Sequence, residues 1–591
     1  GILCSIIPNL RSNSRLSGSE RGAGDGLIGS GMDADRRGGL RTPILAADDE
    51  ASGSDRSEAR DLEARKSVHC SHKALRVILS LQFLEVTAFY GVYLSLIVYL
   101  QDVLHGDSAS NVAAVNSWAG VSYLMPMLGA AVADSYLGKY KMMLIGLSVS
   151  VVGMAIVTTS ATLPALRPPP CAHNSFCAPA TLTQNSVFFS GIYLCAVGIG
   201  VVKAVFIAFA AEQFDDDDDG EEGEAKASYF SWYYAVANVA MLTAGTLLVW
   251  VQDKVSWGLG YGICASFLAV AVIGLAATPR MFRILPPVGG SSNGLLQVLF
   301  AFSRKLNLTL PDDATELYEE DGSKNRVRQR LQHTDQFRYL DKAAIVTVED
   351  LGQDGSRPWT LCTVTQVEEL KTLLRLIPIW LTSAVYFVAN TQAQTTFVQQ
   401  GTKTDSWIPA ASLTSVQTVC VAVCLTLYNR AVEMPALRRL APLQLMGLGH
   451  AAAAVAMGVA ACTEARRLRM AGEHQLMGIA WLLPQYVVMA VSDASLSVGQ
   501  MEFFYGQSPE TMRGAAMAFC FLSVSFGNLI NSRLVTLVAS VTAAGGRTGW
   551  FPPELDNGHL DYYFVFVVAV TVVNFAVFLA LAKNYTPKRV I

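Results

Sequence analysis

The sequence predicts an all-α membrane protein with twelve transmembrane helices in two six-helix bundles. Three observations predict it. Of the 591 residues, 52% are hydrophobic and only 16% charged, where a soluble protein carries roughly 25% charged residues. Apolar stretches long enough for a helix to cross a bilayer core, about 20 residues, recur along most of the chain. They fall six on each side of a mostly polar interval near residues 279–369.

The first six stretches are residues 75–100, 113–133, 142–163, 187–211, 229–251 and 258–277. The second six are 370–389, 408–427, 442–462, 477–498, 515–538 and 562–582. In hydrocarbon each backbone polar group must be satisfied within its own segment, so stretches this long read as helices. Six spans, a long connector and six more is the layout of a carrier with two similar halves. Residues 1–70 are rich in Gly, Ser, Asp and Arg without periodicity and read as a disordered cytoplasmic tail. Residues 71–278 form the first bundle, 279–369 a cytoplasmic linker, and 370–591 the second bundle with a short cytoplasmic tail.

Lys and Arg in short loops set the orientation. Both termini on the cytoplasmic side places Lys66, Lys73, Arg76, Lys139, Lys141, Arg430, Arg438, Arg439, Arg513, Lys583, Lys588 and Arg589 inside. Arg167, Lys254, Lys403 and Arg547 remain outside, and one cluster, Arg466, Arg467 and Arg469, dissents. An acidic run, Asp215–Asp219 with Glu221, Glu222 and Glu224, reads as a solvated loop. Most of the eleven cysteines sit in apolar stretches as small hydrophobes. Cys171 and Cys177 instead share a polar loop, where free thiols and a disulfide are both open readings.

Composition also excludes function classes. A net charge of −4 leaves no basic footprint for nucleic acid. No His-Glu-x-x-His or Walker lysine is present, and His105, His173, His333 and His450 are scattered, so an enzyme is not expected. No cofactor or metal and no obligate protein partner is expected; the partners are the lipid bilayer and a small-molecule substrate.

The informative residues are charges inside spans. Each costs roughly 2.5–3.5 kcal/mol at a helix centre, so it marks a cavity, a partner or a function. Three stand out: Glu85 in the first span, Lys203 in the fourth and Asp493 in the tenth. Unpaired, they would cost roughly 8–10 kcal/mol on the same scale, which requires that they face a wet cavity or one another. Gln82, Glu85, Phe89 and Tyr93 recur at helical spacing along one face, with Tyr90 beside them. Asn390, Gln392 and Gln394 add amides at the end of the seventh span. Packing between helices is an equal reading for Phe89 and Tyr93. Gly198 and Gly200 lie in a membrane helix with no preceding strand, which favours close helix packing over phosphate binding.

Six motifs in order make the chain, from about residue 74 to 585, resemble the proton-coupled oligopeptide transporter family in its plant nitrate and peptide branch. Ala88-Phe-Tyr-Gly91 is similar to the first-helix signature, and Ala133-Asp134-Ser-Tyr-Leu-Gly138-Lys139-Tyr140 to that between the second and third. Lys203 before Gln213-Phe214-Asp215 resembles the fourth-helix lysine. Pro358-Trp359 through Lys371 with Ile377-Pro-Ile-Trp380, then Glu502-Phe-Phe-Tyr505 and Gly558-His-Leu-Asp-Tyr562, resemble later landmarks.

The resemblance implies a major facilitator fold, alternating access and a central site. It implies that Asp493, nine residues before Glu502-Phe-Phe-Tyr505, pairs with Lys203. It also implies that protons are the coupling ion and that Glu85, Lys203 and Asp493 perform coupling and gating. Gln82, Phe89, Tyr90, Tyr93, Asn390, Gln392 and Glu502 are then the expected substrate-binding set. Two departures stand out. The family's Glu-x-x-Glu-Arg or Glu-x-x-Glu-Lys signature reads Gln82-Phe-Leu-Glu85-Val86 here, and Asn390 and Met142 replace a nitrate-branch histidine and threonine.

The expected function is secondary transport of a di- or tripeptide or another small organic metabolite, with an anion such as nitrate less favoured, across the plasma or vacuolar membrane. The alternative is an uncoupled facilitator or a membrane sensor on the same fold.

Overall fold

A computed structural model describes residues 73–169, 178–214, 221–287, 293–311, 317–319, 333–347, 359–433, 440–508, 513–552 and 554–585. The N-terminal tail, Cys171, Cys177, Asp215–Asp219, Arg438, Arg439, Lys588 and Arg589 lie outside these residues. Twelve long helices carry the fold: α1 (Lys73–Asp102), α2 (Ser108–Val132), α3 (Lys139–Thr162), α4 (Leu182–Ala211), α5 (Ser228–Val255), α6 (Trp257–Ala277), α7 (Val364–Thr402), α8 (Ala410–Ala431), α9 (Pro442–Gly472), α10 (Ile479–Gln507), α11 (Ala518–Thr542) and α12 (Leu560–Asn584). Eleven of them are long and apolar enough to cross a membrane. The other, α2, has spanning length but carries Asn111, Asn116, Ser117, Trp118 and Tyr123, a polar and aromatic content that lowers its hydropathy.

Two elements extend beyond the hydropathy pattern. Helix α7 starts at Val364 rather than residue 370, because Thr363 and Gln366 form a capping box. Its first turns carry Glu368, Glu369 and Lys371, charges that hide the helix from a hydropathy reading. Helix α9 runs ten residues past residue 462 and so contains the dissenting arginines. Arg467 is 2% exposed, bound by both guanidinium edges to Glu464 (2.8 and 2.9 Å) and to Asp556 (2.5 Å). Arg466 lies 3.8 Å from the centroid of the Trp481 ring. The charges of this cluster are therefore largely spent on internal partners, which weakens it as an orientation signal.

The glycines of α3 and α4 permit close approach. A Cβ on Gly198 would stand 2.5 Å from the Gly146 carbonyl oxygen, and one on Gly200 2.6 Å from that of Ser122. These residues are packing positions, as the sequence favoured.

Helices α1–α6 and α7–α12 form the two bundles. They meet along α2 and α11, where Ser117 and Ser532 hydroxyls lie 2.8 Å apart and Ser525 donates to the Gly120 carbonyl (2.7 Å). At the end away from the linker, Gln101 donates to Thr402 (3.3 Å) and Ser108 to Gln399 (3.2 Å). This far end is closed by the tips of α1 and α7. At the opposite, linker end, a small second core forms from Val298, Ala301, Leu340, Ala343 and Cys362 against Val367 and Leu370 of α7.

Candidate functional site

Four elements converge at the middle of the molecule. Helix α1 carries Phe89, Tyr90 and Tyr93; α2 carries Trp118 and Tyr123; α4 carries Lys203; and α10 carries Asp493, about midway along its length. The Lys203 ammonium stands 3.4 Å from the centroid of the Phe89 ring, with Tyr123 at 5.1 Å and Tyr90 at 5.8 Å. Trp118 stacks on Phe89 at 5.4 Å, and its indole nitrogen donates to the Ile192 carbonyl (2.9 Å), so the aromatic floor is held from both sides. A cation over an aromatic face is attracted by the ring quadrupole, about 2 kcal/mol when desolvated.

Glu85 lies one turn before Phe89, and its charge is the one acting on Lys203. The two are not in ion-pair contact, whose limit is 4.0 Å. Asp493 has different neighbours: Ser497 donates to it (3.4 Å) and Asn390 sits beside it. Its charge also acts on the Tyr90 and Tyr123 phenols. These two rings, which flank the ammonium, thus separate Lys203 from Asp493. The direct ion pair implied by the resemblance is not made in this conformation.

Exposure shows where the central space opens. Thr391, Asn116 and Gln392, on the far side, are at most 2% exposed. Lys203, Tyr90, Tyr123, Asn390 and Asp493 are partly exposed, and Ser497, one turn nearer the linker end, is exposed. The space therefore opens toward the linker. Its closed side is a polar knot. The Tyr93 hydroxyl reaches Thr391. The Thr391 hydroxyl lies 2.6 Å from the Asn116 and 2.9 Å from the Asn528 side-chain oxygen. One hydroxyl thus joins both bundles.

Both first helices of the halves are interrupted at this level. Helix α1 turns at Leu94–Ser95, and α7 loosens through the 3-10 turn Thr391–Gln394, with Thr395 in an irregular conformation. Discontinuous helices at the middle of a bundle expose backbone groups to a central site.

Three expected site residues lie elsewhere. Gln392 was expected to line the site, but its nitrogen is within hydrogen-bond distance of the Val388 carbonyl (2.7 Å), Asn531 (3.0 Å) and the Tyr563 hydroxyl (3.2 Å), and its oxygen accepts from Thr396 (2.8 Å). It is a core residue of the second bundle, turned inward by the break after Asn390. Gln82 donates to the Tyr233 carbonyl (3.2 Å) and ties α1 to α5 within the first bundle. Glu502 lies nine residues beyond Asp493, about 13 Å along the helix toward the linker end. Phe89, Tyr90, Tyr93 and Asn390 do converge with Lys203 and Asp493. The sequence reading missed Trp118, Tyr123, Thr391 and Ser497; the polar-aromatic stripe of α2 was the available signal for two of them.

One further cluster has metal-ligand character. His333, Asp341 and Glu368 offer ligand atoms within 4.8 Å of one another. Lys371, fully buried, occupies the cation's place, 2.7 Å from Asp341 and 2.8 Å from Glu368. The cluster is balanced by its own lysine.

A twelve-helix membrane protein in two bundles, with ionisable side chains around a space closed at one end, has the architecture of an alternating-access transporter. Comparison gives the family. The POT family profile, PTR2, matches residues 140–551. The chain is 39% identical over 534 residues to Protein NRT1/ PTR FAMILY 8.5 of Arabidopsis thaliana, covering 88% of this chain and 90% of that one. It is 36% identical to Protein NRT1/ PTR FAMILY 8.3 of the same plant, covering 88% and 92%. A solved auto-inhibited POT family peptide transporter superposes with a TM-score of 0.66 at 20% identity, covering 87% of this chain and 97% of that one. The POT family transporter PepTSo gives the same TM-score at 18% identity, covering 87% and 98%. The chain belongs to the POT family and is a multi-pass membrane transporter, not an enzyme.

Proposed function

We propose that the protein carries a small organic solute, such as a di- or tripeptide or a zwitterionic metabolite, in symport with protons. The observation that carries this reading is the placement of one ammonium, Lys203, and one carboxylate, Asp493, on opposite bundles across the Tyr90–Tyr123 layer. A solute with an amine and an acid end has a counter-charge for each. Asn390 beside Asp493 adds amide donors and an acceptor for a peptide-like bond. Titles of solved relatives support the class, since one describes a POT family transporter in complex with 5-aminolevulinic acid.

The coupling step follows from charge. An ionised Asp493 attracts Lys203 across the gap and favours the two bundles approaching at the linker end. Protonation of Asp493 cancels that attraction and releases them. Orientation supports the linker end as cytoplasmic, because Lys139, Lys141, Arg430 and Lys583 flank it. In that orientation the described conformation faces the cytoplasm. The plasma membrane and the vacuolar membrane both suit this arrangement.

The second reading, an uncoupled facilitator or a sensor, is favoured by the missing acid and base at Gln82 and Val86. Uptake into proteoliposomes with and without an imposed proton gradient separates the two. Accumulation of a labelled dipeptide only with the gradient supports symport; equal rates under both conditions would leave the facilitator, and no flux of any amino-acid-like solute the sensor.

A further inference from the structure

The linker carries an amphipathic helix, Asn293–Arg304, with two different apolar sides. Val298 and Ala301 are fully buried in the second core, against Val367 and Leu370 in the first turns of α7. Leu299 and Phe300 face outward at 47% and 46% exposure. They continue into exposed Leu306, Trp359 and Tyr339: the Trp359 ring meets Phe300 edge-on at 6.0 Å, and Tyr339 packs on Phe302 at 5.9 Å. Exposed Arg304 lies one turn beyond Phe300 on the same stripe. Lys342 donates to the Leu306 carbonyl at the same edge (2.6 Å).

Placement identifies the occupant. Helix α7 is 39 residues long, about 58 Å at the rise of an α-helix, against a hydrocarbon core of about 30 Å. Its first turns therefore project past the hydrocarbon, and the helix packed on them sits at headgroup depth. Tryptophan and tyrosine prefer that depth, and basic residues there attract anionic lipids. A soluble linker would leave this aromatic surface in water.

We propose that the outer side of helix Asn293–Arg304, with Trp359 and Tyr339, lies in the membrane interface and binds anionic lipid headgroups. The linker is then a monotopic anchor for the start of α7. The test places a fluorescent amino acid at Leu299 in the full chain, reconstituted in phosphatidylcholine nanodiscs with and without phosphatidylglycerol. Quenching by lipids brominated high on the acyl chain is compared with quenching by aqueous iodide. The expected result is dominant quenching by the brominated lipid, strengthened by phosphatidylglycerol. Arg304→Glu is expected to reduce that anionic preference about fivefold. Dominant iodide quenching in both nanodiscs would overturn the proposal and leave a water-facing or protein-binding patch; brominated-lipid quenching indifferent to phosphatidylglycerol would overturn the anionic preference. Because the label replaces an exposed side chain, the readout does not depend on a destabilised variant or on transport activity.

Discussion

The Lys203 ammonium rests 3.4 Å above the centre of the Phe89 ring, and no carboxylate of the described residues is in ion-pair contact with it. The buried cation is thus stabilised by aromatic faces in this conformation, leaving it available to a carboxylate in another. The two arrangements compete for a single charge, which is the property a conformational latch requires.

Removing the charge tests the latch. Lys203→Ala is expected to abolish net uptake while the protein still inserts into the membrane at normal levels. Phe89→Leu keeps an apolar side chain but removes the ring face. It should shift the conformational balance by up to about 2 kcal/mol, roughly 30-fold, toward states in which Lys203 pairs with an acid. The readout is apparent substrate affinity from each side. Uptake by Lys203→Ala at the unmodified rate would remove the lysine from the mechanism.

Acid chemistry at Asp493 sets the pH response. Lowering pH protonates the carboxylate, ends its attraction for Lys203 and, in the proposed symport, raises uptake. Asp493→Asn resembles the protonated form at every pH, so its uptake should be pH-flat and unable to exceed the outside concentration. In the other direction, Gln82→Glu with Val86→Arg should steepen the pH dependence of the natural sequence. An unchanged pH profile in that double variant would show that this part of α1 holds no latent proton site.

Thr391 closes the far end. Thr391→Val keeps the shape but leaves Asn116 and Asn528 without its hydroxyl, at a cost of about 1–3 kcal/mol for buried polar groups. The closed far end should open more often. A cysteine placed at Gln399, buried in the natural chain, should then react with an impermeant maleimide several-fold faster, a rate easily measured against the same cysteine with Thr391 intact.

The linker should come loose without Lys371. Lys371→Ala leaves Asp341 and Glu368, both 2% exposed, as uncompensated buried charges. Breaking such a network costs about 3–5 kcal/mol. Thermal unfolding should begin lower, and limited proteolysis should cut first within residues 333–347. A melting curve and a digestion pattern identical to the natural protein's would show that the network contributes no rigidity.

Hydropathy and in-span charge were legible along the chain because both are local properties. They gave the spans and the three ionisable residues that matter, Glu85, Lys203 and Asp493. Hydropathy misjudged helix starts where charges are buried by distant partners. Lys371 looks like linker in the sequence, yet it is fully buried within α7 because Asp341 and Glu368 neutralise it.

Helical spacing could place Gln82, Glu85, Phe89 and Tyr93 on one stripe, but not decide what the stripe touches. Only the packing turned Gln82 into the first bundle, sent Gln392 into the second, and set Phe89 beneath Lys203. By itself, then, the sequence determined a twelve-helix membrane protein with a few charges too costly to leave in lipid. The tertiary structure decided which aromatic, amide or carboxylate meets each charge. The physical reason is range: the transfer energy of a span sums over its own residues, whereas each site contact joins helices far apart in the chain, whose rotation and tilt are set by packing against their neighbours.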